Sequence, residues 1–220
     1  MGWTERALFI AGCALLTFVL GAYMHRAVMY RAAMKSFEHA REKAAATRND
    51  TATSGPTPAD ETIQAATNHD TDRQPARLSS AQSTVRHRGF DEVPLAILRI
   101  PKVHLEVPVL VGTDDFTLNR GVGQIAGTAA PGEKGNIGIA GHRDGFFRDL
   151  KDITVGDRIE LETTGAVDIY TVDSILVTSP DDVSVLRARK GQSLTLVTCF
   201  PFRFVGPAPR RFVVEASVKR

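Results

Sequence analysis

Between Asn49 and about Arg88 the chain is built from Thr, Ser, Asp, Gln, Ala and Pro, with scarcely an apolar run and no aromatic residue. Such a stretch cannot bury enough apolar surface to offset the entropy of ordering its backbone, so residues 49–89 are expected to form a disordered linker. As a flexible coil it would have a root-mean-square reach of roughly 35 Å. Folding is thereby confined to a short region before it and to residues 90–220 after it. The later region has the length of one ordinary domain.

The first region opens with an almost unbroken, uncharged apolar run from Ala7 to Met24, bracketed by Trp3 and Tyr23. About 18 residues is the short end of a bilayer-spanning helix, so residues 1–25 read as a single membrane anchor. A cleavable signal peptide fits less well, because Glu5 offsets Arg6 at the start and Leu20-Gly21-Ala22 is a poor small-x-small cleavage site. A lipoprotein site at Ile10-Ala11-Gly12-Cys13 has too short an apolar lead, and the run continues past the cysteine. Residues 26–48, rich in Ala, Glu, Lys and Arg from Tyr30 onward and free of Gly and Pro, read as a solvated helical stalk. Arg26, Arg31, Lys35, Arg41 and Lys43 follow the span while only Arg6 precedes it. Charge bias alone therefore puts the large portion inside, although long domains translocate largely regardless of it.

From Leu95 the character changes. Ile97, Leu98, Ile100, Val103, Leu105, Val107, Val109, Leu110 and Val111 are punctuated by Pro101 and Pro108, as paired short strands would be. Asp114–Asn119 suits a short helix. Glycines at 121, 123, 127, 132 and 135 then mark a turn-rich connection into an apolar run, Asn136–Ala140. Arg158–Thr163 alternates polar and apolar residues, and Ile169–Val177 is also strand-like. Ser179-Pro180-Asp181-Asp182 carries helix-start signals, with Gly191 beyond the expected end. Seven or eight short strands without a long amphipathic helix predict an all-β domain with short helices, a closed or nearly closed barrel. The formal net charge of +2 gives no footing for nucleic-acid binding. No phosphate loop, HExxH motif or carboxylate cluster supports a nucleotide or metal cofactor.

Thr195-Leu196-Val197-Thr198-Cys199 ends the strongest strand pattern, stopped by Phe200-Pro201 because proline has no N–H for a ladder. A free cysteine is most often a small buried hydrophobe. A nucleophilic one needs a group that favours the thiolate and donors for the oxyanion it creates. Gly141-His142-Arg143-Asp144 closes a second strand-like run, and Arg210-Arg211 opens a third, Phe212–Ala216. Cys13 lies in the apolar span, so Cys199 is expected to be a free thiol.

That order and those motifs resemble the sortases, membrane-anchored cysteine transpeptidases whose signature is Thr-Leu-x-Thr-Cys with an upstream His and a downstream Arg. The resemblance runs from Pro94–Pro101 through Gly141–Asp144 to Arg211–Val214 and is strongest to class D. It implies an eight-stranded sortase barrel on the extracytoplasmic side of a single-pass anchor. It implies Cys199 as nucleophile, His142 as acid/base and Arg211 as oxyanion stabiliser. Thr198 would offer a hydroxyl or backbone donor to substrate, or else be a packed strand threonine. Arg210 is the rival to Arg211, since neighbours on a strand face opposite ways. Arg211 is preferred because in the family the functional arginine directly precedes the apolar strand.

The implied reaction is cleavage of a C-terminal sorting signal of the Leu-Pro-x-Thr-Gly or Leu-Pro-x-Thr-Ala type, then transfer to an amine of the cell envelope. The segment from Thr178 to Gly191 would wall the groove for the Leu-Pro part. Two other readings are a cysteine peptidase that releases surface proteins by hydrolysis and a non-enzymatic, membrane-tethered β-barrel binding module. The disordered linker also implies that a chain beginning near Phe90 folds and turns over peptides.

Overall fold

Alternating side chains and closely spaced turns produce eight strands: β1 (Ala96–Ile100), β2 (Leu105–Val111), β3 (Val122–Gln124), β4 (Gly135–Gly141), β5 (Arg158–Glu162), β6 (Val167–Thr178), β7 (Gln192–Phe200) and β8 (Arg210–Ser217). The structure, a computed structural model, describes residues 2–53, 93–189, 191–204 and 206–218. The strands close into a barrel in the order β1-β2-β3-β4-β7-β8-β6-β5, which removes every open sheet edge. The expected all-β barrel of eight strands is thus the fold. Inside, Leu98, Val109, Ile139, Leu161, Tyr170 and Leu196 belong to one continuous core.

The pairings are antiparallel except β2–β3 and β4–β7. Strands β1, β4, β6 and β7 therefore run the same way and finish at one end of the barrel. His142 and Cys199 stand at that end, with the 3-10 segments Pro101–Val103 and Phe146–Asp152. The β5–β6 hairpin and the starts of β4 and β7 occupy the other.

Asp114 caps α2 (Asp115–Leu118) by accepting from the Thr117 N–H at 3.1 Å, close to the short helix expected there. The helix expected from Ser179 is instead one 3-10 turn, Val183–Leu186, capped by Asp182. The physical reason is tertiary. The carbonyls of Val185 and Arg187 both accept from Asn136 Nδ2 at 3.2 Å, a partner on β4 that takes the place of further helical turns.

Residues Trp3–Thr53 form one helix, α1. Its first part, Trp3–Gly21, has a mean hydropathy of 1.5 over 19 residues and is long and apolar enough to cross a membrane. The linker expected at 49–89 begins inside this helix, which continues to Thr53; residues 54–89 lie outside the described residues.

The expectation of a solvated stalk is corrected. Ala33 is 4% and Phe37 2% exposed, because Tyr30, Ala33, Phe37 and Arg41 follow one another at helical spacing and lie on the barrel wall. The Tyr30 hydroxyl donates to the Glu106 carbonyl at 3.1 Å, and its ring stacks on Phe146. On that wall Glu162, Ile97 and Pro108 are cross-strand partners facing outward in one row, and Ile97 is completely buried.

At the far end of this contact Arg41 and Arg99 both donate to the Glu162 carboxylate. Burial works against ionisation of Glu162, yet hydrogen bonds from Arg99 and Arg41 outweigh it and hold the carboxyl below its usual range. Because the folded value is depressed, this contribution is complete above the ordinary glutamate value of about 4.3 and is lost as pH falls through the folded value. We expect acidification below about pH 4 to lower hydrogen-exchange protection of the Ala33–Arg41 amides. Glu162→Gln should do the same at pH 7 while the barrel strands keep their protection; unchanged protection in both cases would leave the ion pair without a role in docking.

Candidate functional site

The parallel β4–β7 ladder runs in register from Gly135 beside Gln192 to Gly141 beside Thr198. The next residues are His142, just past the end of β4, and Cys199, still within β7, so they follow directly on two paired positions of adjacent strands. On the other flank Cys199 is the direct antiparallel partner of Arg211. Directly opposed residues project from the same face, with Cβ atoms about 5 Å apart. The same register pairs Arg210 with Phe200, whose ring packs against the core, so alternation turns Arg210 away from the sulfur. The structure thus brings His142, Cys199 and Arg211 together on three neighbouring strand ends.

This face is the outside of the barrel. Leu194 and Leu196 point into the core and are fully buried, whereas Cys199 is partly exposed. Thr198 alternates to the inner side. Its hydroxyl donates to the Gly141 carbonyl at 2.7 Å and the residue is 2% exposed, so that hydroxyl fastens β7 to β4 beside the thiol. Thr195 lies on the outer face with Cys199, and its hydroxyl donates to Asn136 Oδ1 at 2.9 Å. Through Asn136 it belongs to the network that seats residues 179–189 over the outer surfaces of β4 and β7. Arg189 pairs with Glu215 of β8 and extends the same seat. Val183, 69% exposed, stands on this segment beside the face that carries Cys199.

Local chemistry at the end of β4 explains its glycine. A Cβ on Gly141 would fall 2.6 Å from the Phe147 ring, so only glycine lets the strand end pack there. The His142 carbonyl then accepts from the Gly145 and Phe147 N–H groups at 3.1 and 3.2 Å, fixing a tight turn that holds the imidazole at the rim. His142 Nε2 lies 3.8 Å from Asp115 Oδ1. The Asp115 side chain is 94% exposed, so water screens this contact strongly.

Two participants were not identified from the sequence. Asp115 had no signal beyond membership of a short helix. Arg143 sat in view as the residue after His142, but its partners are distant in sequence. Its guanidinium donates to the carbonyls of Pro201 at 3.0 Å, Phe204 at 2.8 Å and Gly206 at 3.1 Å, and lies 5.7 Å from the Phe204 ring centroid. Arg143 thus pins the loop that follows Cys199 to the strand that carries His142. Arg211 Nη1 donates to the carbonyls of Ala208 and Arg210, holding that guanidinium at the same rim. Among the described residues no group of three or more His, Cys, Asp or Glu is placed to hold a metal ion. Both cysteines are free thiols.

Arg143→Lys should reproduce little of this pinning, because one ammonium cannot span three carbonyls presented to a planar fork. We expect Arg143→Ala and Arg143→Lys to increase hydrogen exchange in residues 201–209 without a comparable change in β4 or β7. Exchange in that loop identical to the parent protein would show that the three bonds do not order it.

Residues 98–219 match the family model for the sortase domain. Sortase D of Bacillus subtilis is 35% identical over 119 residues, a match covering 54% of this chain and 60% of that protein. The chain thus spans less than two thirds of that relative. Among solved structures, a Clostridium perfringens Sortase D5 transpeptidase superposes with a TM-score of 0.53 at 31% identity, over 58% of this chain and 80% of that one. Sortase A of Corynebacterium diphtheriae gives 0.54 at 30% identity, over 58% and 61%. With an eight-stranded closed barrel and a family match over more than half of its length, the chain belongs to the sortase family.

Proposed function

We propose that this protein is a single-pass, membrane-anchored cysteine transpeptidase with its barrel on the extracytoplasmic side. It cleaves a C-terminal sorting signal of the Leu-Pro-x-Thr-Gly or Leu-Pro-x-Thr-Ala type and transfers the upstream protein to an amine of the cell envelope. The observation that carries this reading is the placement of Cys199 between the strand ends bearing His142 and Arg211, on an open outer face.

The Cys199 thiolate attacks the carbonyl carbon of the signal's threonine. Negative charge develops on that oxygen, and in this reading the Arg211 guanidinium donates to it. As the carbon–nitrogen bond breaks, His142 protonates the departing amine, leaving a thioester on Cys199. The incoming amine attacks this thioester, His142 takes its proton, and the carbon–sulfur bond breaks to restore the thiolate. No nucleotide is consumed, since the thioester retains acyl-transfer potential from the cleaved peptide bond. The segment 179–189, seated on the outer surfaces of β4 and β7 and carrying the exposed Val183, is the proposed wall for the Leu-Pro part of the signal.

Cys199→Ala should abolish both cleavage and transfer of a sorting peptide while circular dichroism remains that of the folded barrel. Cleavage retained by this variant would remove the thiol from the reaction. Mass spectrometry of products with and without an added amine separates transfer from hydrolysis: an amide-linked product identifies a transpeptidase, and the free acid alone identifies a peptidase. A thiol that reacts slowly with iodoacetamide and a peptide that is bound but never cut would identify a binding module.

The adjacent arginines make a sharper test. Loss of a positioned oxyanion donor typically lowers kcat by about 10²–10³. Arg211→Ala is expected to fall in that range and Arg211→Lys to recover little of it, while Arg210→Ala retains most turnover. Steady-state kinetics on a fluorogenic peptide checks this; loss confined to Arg210→Ala would reverse the assignment.

A further inference from the structure

The direction in which α1 crosses the barrel carries information about the membrane. Tyr30 touches Glu106, the second residue of β2, and Phe146, four residues beyond His142. Both contacts lie at the end of the barrel where β4 and β7 finish. Arg41, three turns later on the helix, reaches Glu162, the last residue of β5, at the opposite end. The helix therefore runs from the His142–Cys199 end toward the far end. Its preceding part, Trp3–Gly21, projects beyond the His142–Cys199 end. Since α1 is continuous, the nine residues from Gly21 to Tyr30 span about 14 Å.

The geometry points to the His142–Cys199 end of the barrel as a membrane-facing surface, held over the lipid headgroups by the docked portion of α1. The partner of this surface is the bilayer, together with a substrate peptide emerging from it. This rests on the proposed function for the place of Trp3–Gly21 in the bilayer and for the sorting signal as substrate, and it adds that the signal reaches Cys199 from that same bilayer.

The chemistry at this end suits an interface. Phe204 and Val155 are exposed at 46% and 62%, an aromatic and an aliphatic side chain suited to partition among headgroups. Lys102 pairs with Asp157, and Lys151 with Asp149 and Asp152. Arg148 and Arg203 are exposed and have no carboxylate partner among the described residues, so they remain for anionic lipid. The docked face of α1 fixes the tilt: Ala33 and Phe37 are buried between the two polar contacts, so helix and barrel meet along the whole interval from Tyr30 to Arg41. A substrate in the same bilayer then meets Cys199 at a raised effective concentration.

The test uses the full chain in vesicles of equal parts phosphatidylcholine and phosphatidylglycerol that carry a headgroup energy-transfer acceptor. A donor dye is attached at Arg203→Cys, on the loop after Cys199, or at Lys134→Cys, just before β4, in each case with Cys13→Ser and Cys199→Ser. Strand β4 has seven residues, so the two positions are separated by about 20 Å along the barrel. Transfer should be much stronger from position 203 than from 134. Ala33→Glu with Phe37→Asp, or the milder Phe37→Ala with Arg41→Ala, should bring the two values together.

With Cys199 restored, the undocked forms should cleave a soluble sorting peptide at the parent rate and a vesicle-inserted one severalfold more slowly. Equal transfer from the two positions in the docked protein, stronger transfer from 134, or a chain that does not enter the vesicles would overturn the inference. A difference that survives undocking would equally overturn α1 as its cause. If no form cleaves either peptide, the proposed function fails, while the transfer measurement still decides the orientation.

Discussion

The parallel pairing of β4 with β7 is the contact on which the site depends. It is non-local, since 50 or more residues separate each residue of β4 from its partner, and β5 and β6 lie in the crossover between them. Its seven residue pairs end with the Thr198 hydroxyl on the Gly141 carbonyl. Side chains alternate with period two, so a slip of one residue would turn Cys199 inward and Thr198 outward. Buried Leu194 and Leu196 oppose that slip, because it would carry both to the solvent face. The hydrophobic effect that closes the core also sets the direction of the thiol.

The same alternation gives the barrel two separate outer surfaces. On β7 and β8 the outward residues are Thr195, Cys199 and Arg211, partly covered by the 179–189 segment. Across the barrel, on β5, β1 and β2, the outward residues are Glu162, Ile97 and Pro108, covered by α1. Closure of the sheet makes these opposite walls, so α1 does not intrude on Cys199.

Much of the barrel was legible because strands with one buried face write their period into the sequence. The break at Pro101, the alternation of Arg158–Thr163 and the stop at Pro201 fell at strand boundaries close to those found, whereas Pro108 lies inside β2, opposite Ile97. Proximity of His142, Cys199 and Arg211 was legible only through the family resemblance, since no local pattern encodes which strands become neighbours. The resemblance favoured Arg211 over its rival Arg210, and the register sets Arg211 directly opposite Cys199. The helix expected at Ser179 had sound capping signals, but Asn136 captured the carbonyls it needed, a competition invisible in local sequence. Docking of α1 escaped notice for a different reason. Its apolar stripe contains Tyr30, Ala33 and Phe37 among many charges, and alanine signals a packed face only weakly.

Placing Cys199 on the outer wall, and not in a barrel mouth, has a topological consequence. A polypeptide that crosses the outer wall at Cys199 can extend past the thiol without its ends passing through an opening, since the covering segment is seated lower on β7, at Thr195. In the proposed reaction the barrel would act as a bench against which the substrate strand is laid. On the proposed function, a folded domain of arbitrary size could stay attached upstream of the scissile bond and a bulky acceptor could approach from the solvent side, because the interior filled by Leu196 and Val214 takes no part in admitting either.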